Sequence, residues 1–401
     1  MTIAASRQSR LELLLILGAM TAFAPLAIDM YLPALPTLAT ALATDTGSVQ
    51  RTLASFFLGF ALGQAFYGPL ADRFGRKRPL YAGLLLFILA SAACALAPGI
   101  EALIGLRFLQ AVGACAGAVV ARAMVRDLFA PQETARIFSL LMLIMGVAPI
   151  LAPLIGGYVL LAFGWSAIFW VLTGLGIACL AAVLLRLPET HDAATARPLA
   201  LGDIFLRYSG LLRDRPFLGC CLATALSSGG MFAYIAGSPF VFIELLGVAP
   251  EHFGWIFGTN AFGLILVSQV NGRVVHRYGA DRILRAANVV QAVAGLVLLV
   301  AAATGIGGFW GLAVPLFVFV TCVGVIAPNA TALAMAPQGA QAGMASALLG
   351  TIQFGIAAAA AAAVGAIHDD TARPMAAVIA LCGILGLFLH RWLVPRVAES
   401  L

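Results

Sequence analysis

Long apolar stretches recur along the chain, at about 11–36, 51–71, 79–98, 101–123, 137–162, 166–187, 217–242, 253–272, 283–304, 309–335, 343–366 and 374–394. Each approaches the ~20 apolar residues a helix needs to cross a bilayer. The pattern predicts an all-α integral membrane protein of twelve transmembrane helices joined mostly by short links. No stretch remains for a sizeable soluble domain. The first run carries Asp29, Pro33 and Pro36 and is too long for a simple signal-peptide core, so it is expected to stay as a span.

Composition supports this. The chain is 62% hydrophobic and 10% charged, with a mean hydropathy of +1.02, where soluble domains are about 25% charged. The net charge of +6 is a topology signal and not a footprint for nucleic acid. With the N-terminus inside, the basic side chains Arg73, Arg76, Lys77, Arg78, Arg186, Arg197, Arg277 and Arg282 fall on or beside the cytoplasmic links, and only Arg51 and Arg373 lie opposite. This is the positive-inside pattern, and it predicts both termini in the cytoplasm. All seven cysteines lie in apolar runs and read as small buried hydrophobes. No HExxH, GxSxG or P-loop occurs, so no enzyme, metal or cofactor is expected.

A repeat divides the chain. "GPLADRFGRKR" at 68–78 and "GRVVHRYGADR" at 272–282 both fit G-x-x-x-(D/H)-R-x-G, 204 residues apart. Each sits between the second and third run of a six-run set. The expected organisation is an N-terminal half over 1–187, a cytoplasmic linker over 188–215 and a C-terminal half over 216–401. Two parallel halves with a binding site at the midplane between them are a transporter architecture.

With these segments in view, the chain resembles the major facilitator superfamily, and within it the twelve-span drug:proton antiporters. "GPLADRFGRK" is similar to the superfamily motif between helices 2 and 3, "RFLQAVGA" (107–114) to its helix-4 motif, "GVAPILAPLIGG" (146–157) to the helix-5 antiporter motif, and "AIDMYLPALP" to the helix-1 acidic motif. "YIAGSPFVFIELLGV" (234–248) and "FGWIFGTNA" (253–261) resemble the bicyclomycin-resistance (Bcr/CflA) branch. The resemblance implies a bacterial inner (plasma) membrane protein acting as a monomer. It would use the proton gradient, without a cofactor, to export small amphipathic drugs of the bicyclomycin, chloramphenicol or sulfonamide kind. An exporter of a physiological metabolite such as an amino acid or sugar is the alternative. A receptor or channel is disfavoured by the two-half repeat and by the lack of a signalling domain.

The physical roles follow residue by residue. Gly68 and Gly75 are expected to bracket a tight turn; the resemblance implies that Asp72, Arg73 and Arg76 form a charged latch that sets the conformational gate, and membrane anchoring by the basic residues is the other reading. Pro149 and Pro153, with Gly146, Gly156 and Gly157, kink helix 5 and let a neighbour approach closely; the resemblance implies a seal between the halves. Asp29 and Arg107 each lie on the order of 10–16 Å from the same membrane face at ~1.5 Å per residue. Intramembrane ionisable residues are functional candidates, and these two are expected to meet and to couple proton movement to transport. A purely structural ion pair is the other reading. Positions 204 residues on are Ala233 and Gly311, so titration belongs to the first half. Asp29, Tyr31, Arg122, Tyr234, Asn260, Asn329 and Gln353 are candidates for contacting substrate, and hydrogen bonding between helices is an equal reading for the neutral groups. Arg122 either lines the inner mouth or snorkels to the surface. The expected partners are thus a small-molecule substrate, protons and lipid.

Overall fold

The computed structural model describes residues 7–129, 131–190 and 208–394. Twelve long helices account for the membrane runs: α1 Arg7–Asp29, α2 Thr46–Phe74, α3 Lys77–Ala95, α4 Ile100–Leu128, α5 Pro131–Phe163, α6 Trp165–Arg186, α7 Arg215–Pro239, α8 Pro250–Tyr278, α9 Ala280–Thr304, α10 Gly308–Met335, α11 Ala342–Ala366 and α12 Arg373–Leu393. All twelve segments are long and apolar enough to cross a membrane. Several run beyond the apolar stretch that revealed them. The second run, 51–71, lies inside a helix that continues for a further turn at its start and nearly one at its end, because polar helix ends carry no hydropathy signal. Most of the expected linker, residues 191–207, falls outside the described residues.

The first apolar run is not one helix. α1 stops at Asp29, a 3-10 turn follows over Leu32–Ala34, and a short helix, Leu35–Ala41, completes the crossing. Two prolines explain the break. Pro33 has no N–H for the Asp29 carbonyl and Pro36 none for that of Leu32, and each ring clashes with the turn before it. In the second half α7 runs unbroken to Pro239 and continues as a wider π turn over Phe240–Leu245.

The two repeat motifs do the same local work. α2 ends at Gly75 (φ 83°) and α8 at Gly279 (φ 77°), a backbone region that side chains resist and glycine enters freely. Gly68, expected in that turn, instead lies inside α2 with nothing near its missing Cβ.

The halves meet along two seams, α2 with α11 and α5 with α8. By chain direction one end of the bundle holds the connection between the halves (the linker end), and the other is the distal end. Distally, a Cβ on Gly47 would come 2.6 Å from the Gly365 carbonyl oxygen, and one on Gly157 3.2 Å from the Pro250 oxygen. At mid-depth Phe60 meets Phe354 with ring centres 4.4 Å apart, and Phe57 meets Phe232 at 4.5 Å. One continuous hydrophobic core therefore includes residues of both halves. The outward surface is apolar too, with Leu85 and Leu89 on α3 and Trp255, Phe262 and Leu266 on α8 exposed, as a lipid-facing surface requires. The seven cysteines are free and buried.

Candidate functional site

Asp29 ends α1 and is 4% exposed, the only buried carboxylate among the described residues. Arg107, on α4, is fully buried. The expected pairing is not made: among the described residues neither an ion pair nor a hydrogen bond joins the two. The reason is the pitch of α1. The Arg107 Nη1 donates to the Ala27 carbonyl oxygen at 3.0 Å, and Asp29 is two residues on, ~200° around the helix. One side of α1 faces Arg107 and the other turns the carboxylate away from it.

The break explains why Arg107 chooses Ala27. Met30 N–H still bonds back to Leu26 O at 3.1 Å. The next amide, Tyr31, would serve Ala27 O in a continuous helix and makes no such bond. Arg107 fills that place, putting a cation at the negative end of a helix. Its Nη1 also donates to Gln110 Oε1 (2.6 Å), whose Nε2 donates to Ser91 Oγ (2.8 Å). The guanidinium lies over the Phe56 and Tyr31 rings, 4.4 and 4.6 Å from their centres, an arrangement that replaces part of its lost hydration. Nε and Nη2 have no hydrogen-bond partner. Tyr31 is held in turn by its hydroxyl, 3.0 Å from Thr52 Oγ1.

Asp29 faces the other half. It makes no hydrogen bond within the described residues and lies within electrostatic range of the Tyr234 hydroxyl on α7. Asn260 Nδ2, on α8, donates to that hydroxyl at 2.8 Å. The 3-10 turn after Asp29 packs on both α7 and α8. Helix 5 closes over the break: a Cβ on Gly156 would come 2.8 Å from the Met30 Cα. Gly146 and Gly157 face α8, at Ile265 and at Pro250–Glu251, and α5 continues through Pro149 and Pro153.

The other candidates divide. Asn329 donates to Asn271 Oδ1 at 2.8 Å and Gln353 to Ser228 Oγ at 3.0 Å. With the Tyr234–Asn260 bond, these are helix-to-helix contacts, so Tyr234, Asn260, Asn329 and Gln353 are each engaged with a neighbouring helix. Arg122 is solvent-exposed and donates to Gln64 Oε1 at 3.1 Å, where α2 passes Gly350 of α11. It therefore lies at the seam between the halves and does not snorkel along its own helix.

The latch is larger than its motif. Arg76 bonds Asp72 and, at 2.9 Å, Asp127 of α4. Burial works against the Arg76 charge, but hydrogen bonds to Asp127 and Asp72 outweigh it and hold the guanidinium above its ordinary value. Glu189, just past α6, accepts from Arg76 N–H (2.9 Å) and Lys77 N–H (3.0 Å), capping α3 with a carboxylate, and Thr190 donates to Asp127 at 3.0 Å. Arg73 takes no part in these bonds and lies over the Phe74 ring. Asp127 and Glu189 escaped the sequence reading; their signal was acid at two helix ends in otherwise basic surroundings. In the second half the corresponding stretch forms the Asp281–Arg285 pair (2.8 Å), with Arg285 also donating to Val394 O.

Residues 17–363 match the family model described as Major Facilitator Superfamily. The chain is 37% identical to an uncharacterized MFS-type transporter, YdgK, of Bacillus subtilis, over 94% of each chain. It is 33% identical to a bicyclomycin resistance protein homolog of Haemophilus influenzae, covering 98% of this chain and 99% of that one. It is 34% identical to a chloramphenicol resistance protein of Pseudomonas aeruginosa, over 83% and 77%. Among solved structures, a nucleoside transporter, NupG, superposes with a TM-score of 0.75 at 12% identity over 96% and 100%, and a D-xylose-proton symporter with 0.73 at 14% over 98% of each. At those identities the structures show the fold alone.

Proposed function

Since the chain belongs to the Major Facilitator Superfamily, and is thus a multi-pass membrane transporter of small molecules, we propose that it exports small amphipathic drugs in exchange for protons, with Asp29 as the proton carrier. The observation that carries this reading is the carboxylate itself: buried, without a hydrogen-bonding partner among the described residues, at a broken helix end, facing the other half. Relatives named for bicyclomycin and chloramphenicol resistance support the substrate class.

A negative charge at the C-terminal end of α1 adds to the helix's own negative pole. Arg107 caps the Ala27 carbonyl on the opposite side of the helix and makes no ion pair with that charge. Taking up a proton removes that charge and lets the broken segment settle against apolar neighbours; releasing it restores the demand for water or for a polar partner. A substrate held between Asp29 and the wall formed by α7 and α8 would meet that demand. Arg107 acts as a positioning residue that fixes the break. One proton moving down the potential contributes about 2.3 kcal/mol per 100 mV, enough for a drug gradient of roughly fifty-fold.

In this reading the basic linker end is cytoplasmic, as the positive-inside rule requires. The contacts that close the distal end then make this the arrangement facing the cytoplasm, with Arg122 at its mouth. The test is drug-induced proton movement in proteoliposomes. Asp29→Asn should insert and fold, bind neutral compounds, and lose gradient-driven exchange by more than ten-fold. Exchange at the wild-type rate would make Asp29 structural and place the proton carrier elsewhere.

A further inference from the structure

A second feature lies on the outside of the first half. Leu62, Phe66, Leu70 and Phe74 recur every four residues on one exposed face of α2. Together with Phe108 of α4 they line an open groove of about 560 Å³. The floor is low because α2, α3 and α4 approach closely through small residues: a Cβ on Gly63 would come 2.7 Å from that of Cys115, and one on Gly113 2.5 Å from the Phe87 nitrogen.

At the linker end the groove meets Arg78. Its neighbours are engaged: Arg76 in the latch, Arg73 over the Phe74 ring at 5.2 Å and Lys77 over the Tyr81 ring at 5.6 Å. Among the described residues no carboxylate, hydrogen-bond acceptor or ring meets the exposed Arg78. A free guanidinium therefore heads a channel that is otherwise almost wholly apolar. From Leu62 to Phe74 the channel runs ~18 Å at 1.5 Å per residue, close to the ~15 Å of one leaflet's hydrocarbon.

We propose that this groove is a seat for one anionic phospholipid of the leaflet at the linker end, its phosphate on Arg78 and an acyl chain along α2. The charge, the apolar lining and the one-leaflet length all fit that occupant. An apolar transport substrate would need neither the cation nor its position at headgroup depth. The seat adjoins two contacts described above: α2 forms a seam with α11, and Arg78 lies two residues from Arg76 of the latch. Occupancy would stiffen the first half beside that latch.

The test is independent of transport. The full chain in phosphatidylcholine nanodiscs is exposed to phosphatidylglycerol bearing a photoreactive acyl chain, and labelled peptides are mapped. Labelling should concentrate at Phe66 and Leu70 above the exposed apolar face of α9 around Val293. Arg78→Ala should lower groove labelling about five-fold, the effect of removing one surface cation, and Arg78→Lys should restore most of it. Ala82→Trp, which fills the groove from an exposed position, should abolish groove labelling and spare α9. A diacylglycerol with the same chain, lacking phosphate, should show no enrichment. Equal labelling of α2 and α9, or labelling indifferent to Arg78, would overturn the proposal. So would displacement of the lipid by a transported drug, which would make the groove a lateral entrance for substrate.

Discussion

The two halves share a fold and a repeat motif, but they bury different chemistry. In the first, Asp29 and Arg107 are enclosed on opposite sides of a helix that breaks between them and the short helix Leu35–Ala41. In the second, the positions 204 residues on are Ala233 and Gly311, α7 passes through without a break, and Tyr234, Asn329 and Gln353 are neutral groups bonded across helices to Asn260, Asn271 and Ser228. Closing the same architecture thus needs neither the break nor the charges. They are kept on one side only, where their cost of burial is several kcal/mol per ion, and that asymmetry points to a task other than holding the helices together.

The sharpest way to break the comparison is to remove the cation. Arg107→Ala leaves Ala27 O without a donor and Gln110 without its strongest partner, and should cost about 3 kcal/mol, read as a lower melting temperature in detergent. It should also abolish gradient-driven transport. Arg107→Lys should recover little, since an ammonium lacks the planar fork and the stacking on Phe56 and Tyr31. Near-normal transport in Arg107→Ala would show that the break holds without its cap.

A smaller effect is expected at the closure over the break. Gly156→Ala drives a methyl into the Met30 backbone and should destabilise by about 1–3 kcal/mol. The corresponding position in α11 is already an alanine, Ala360, and is buried. Ala360→Gly should therefore change stability far less, and equal effects at the two sites would mean that the break is not what demands glycine. In the second half, Tyr234→Phe removes the acceptor of the Asn260 amide. It should weaken drug binding about five-fold, roughly one hydrogen bond, with the proton-to-drug ratio unchanged; a changed ratio would place coupling chemistry on both sides.

The smallest difference is at a helix start. Asp45 caps α2, accepting from Ser48 N–H at 2.8 Å, while Ala249, its counterpart, offers α8 no side-chain cap. Asp45→Ala should cost about 1 kcal/mol and Ala249→Asp should return up to as much, measured by denaturation. The Ser48 hydrogen bonds hold the Asp45 carboxyl below the ordinary carboxylate range. Its contribution is therefore fully present above about pH 4 and fades as pH falls through the lower folded value, so the gap between wild type and Asp45→Ala should close in strong acid.

Hydropathy alone determined the twelve spans, because a bilayer tests each segment separately for about 20 apolar residues. The repeat located the turn glycines, Gly75 and Gly279, because a left-handed turn selects its residue locally. Even the break was written in Pro33 and Pro36, although the run around them read as one span. Tertiary structure decided the rest. That Arg107 reaches Ala27 O and not Asp29 depends on which side of α1 faces α4, a rotation that matched depths cannot fix. Glu189 reaches the start of α3 across more than a hundred residues of chain, and its place at a helix end in basic surroundings does not say which helix it caps. The amides and hydroxyls of α7, α8, α10 and α11 could have faced a cavity or each other, and only the packing of the helices paired them. Periodicity and composition act along the chain, whereas hydrogen bonds and charges act through space, so a sequence reveals which polar groups are buried before it reveals what they touch.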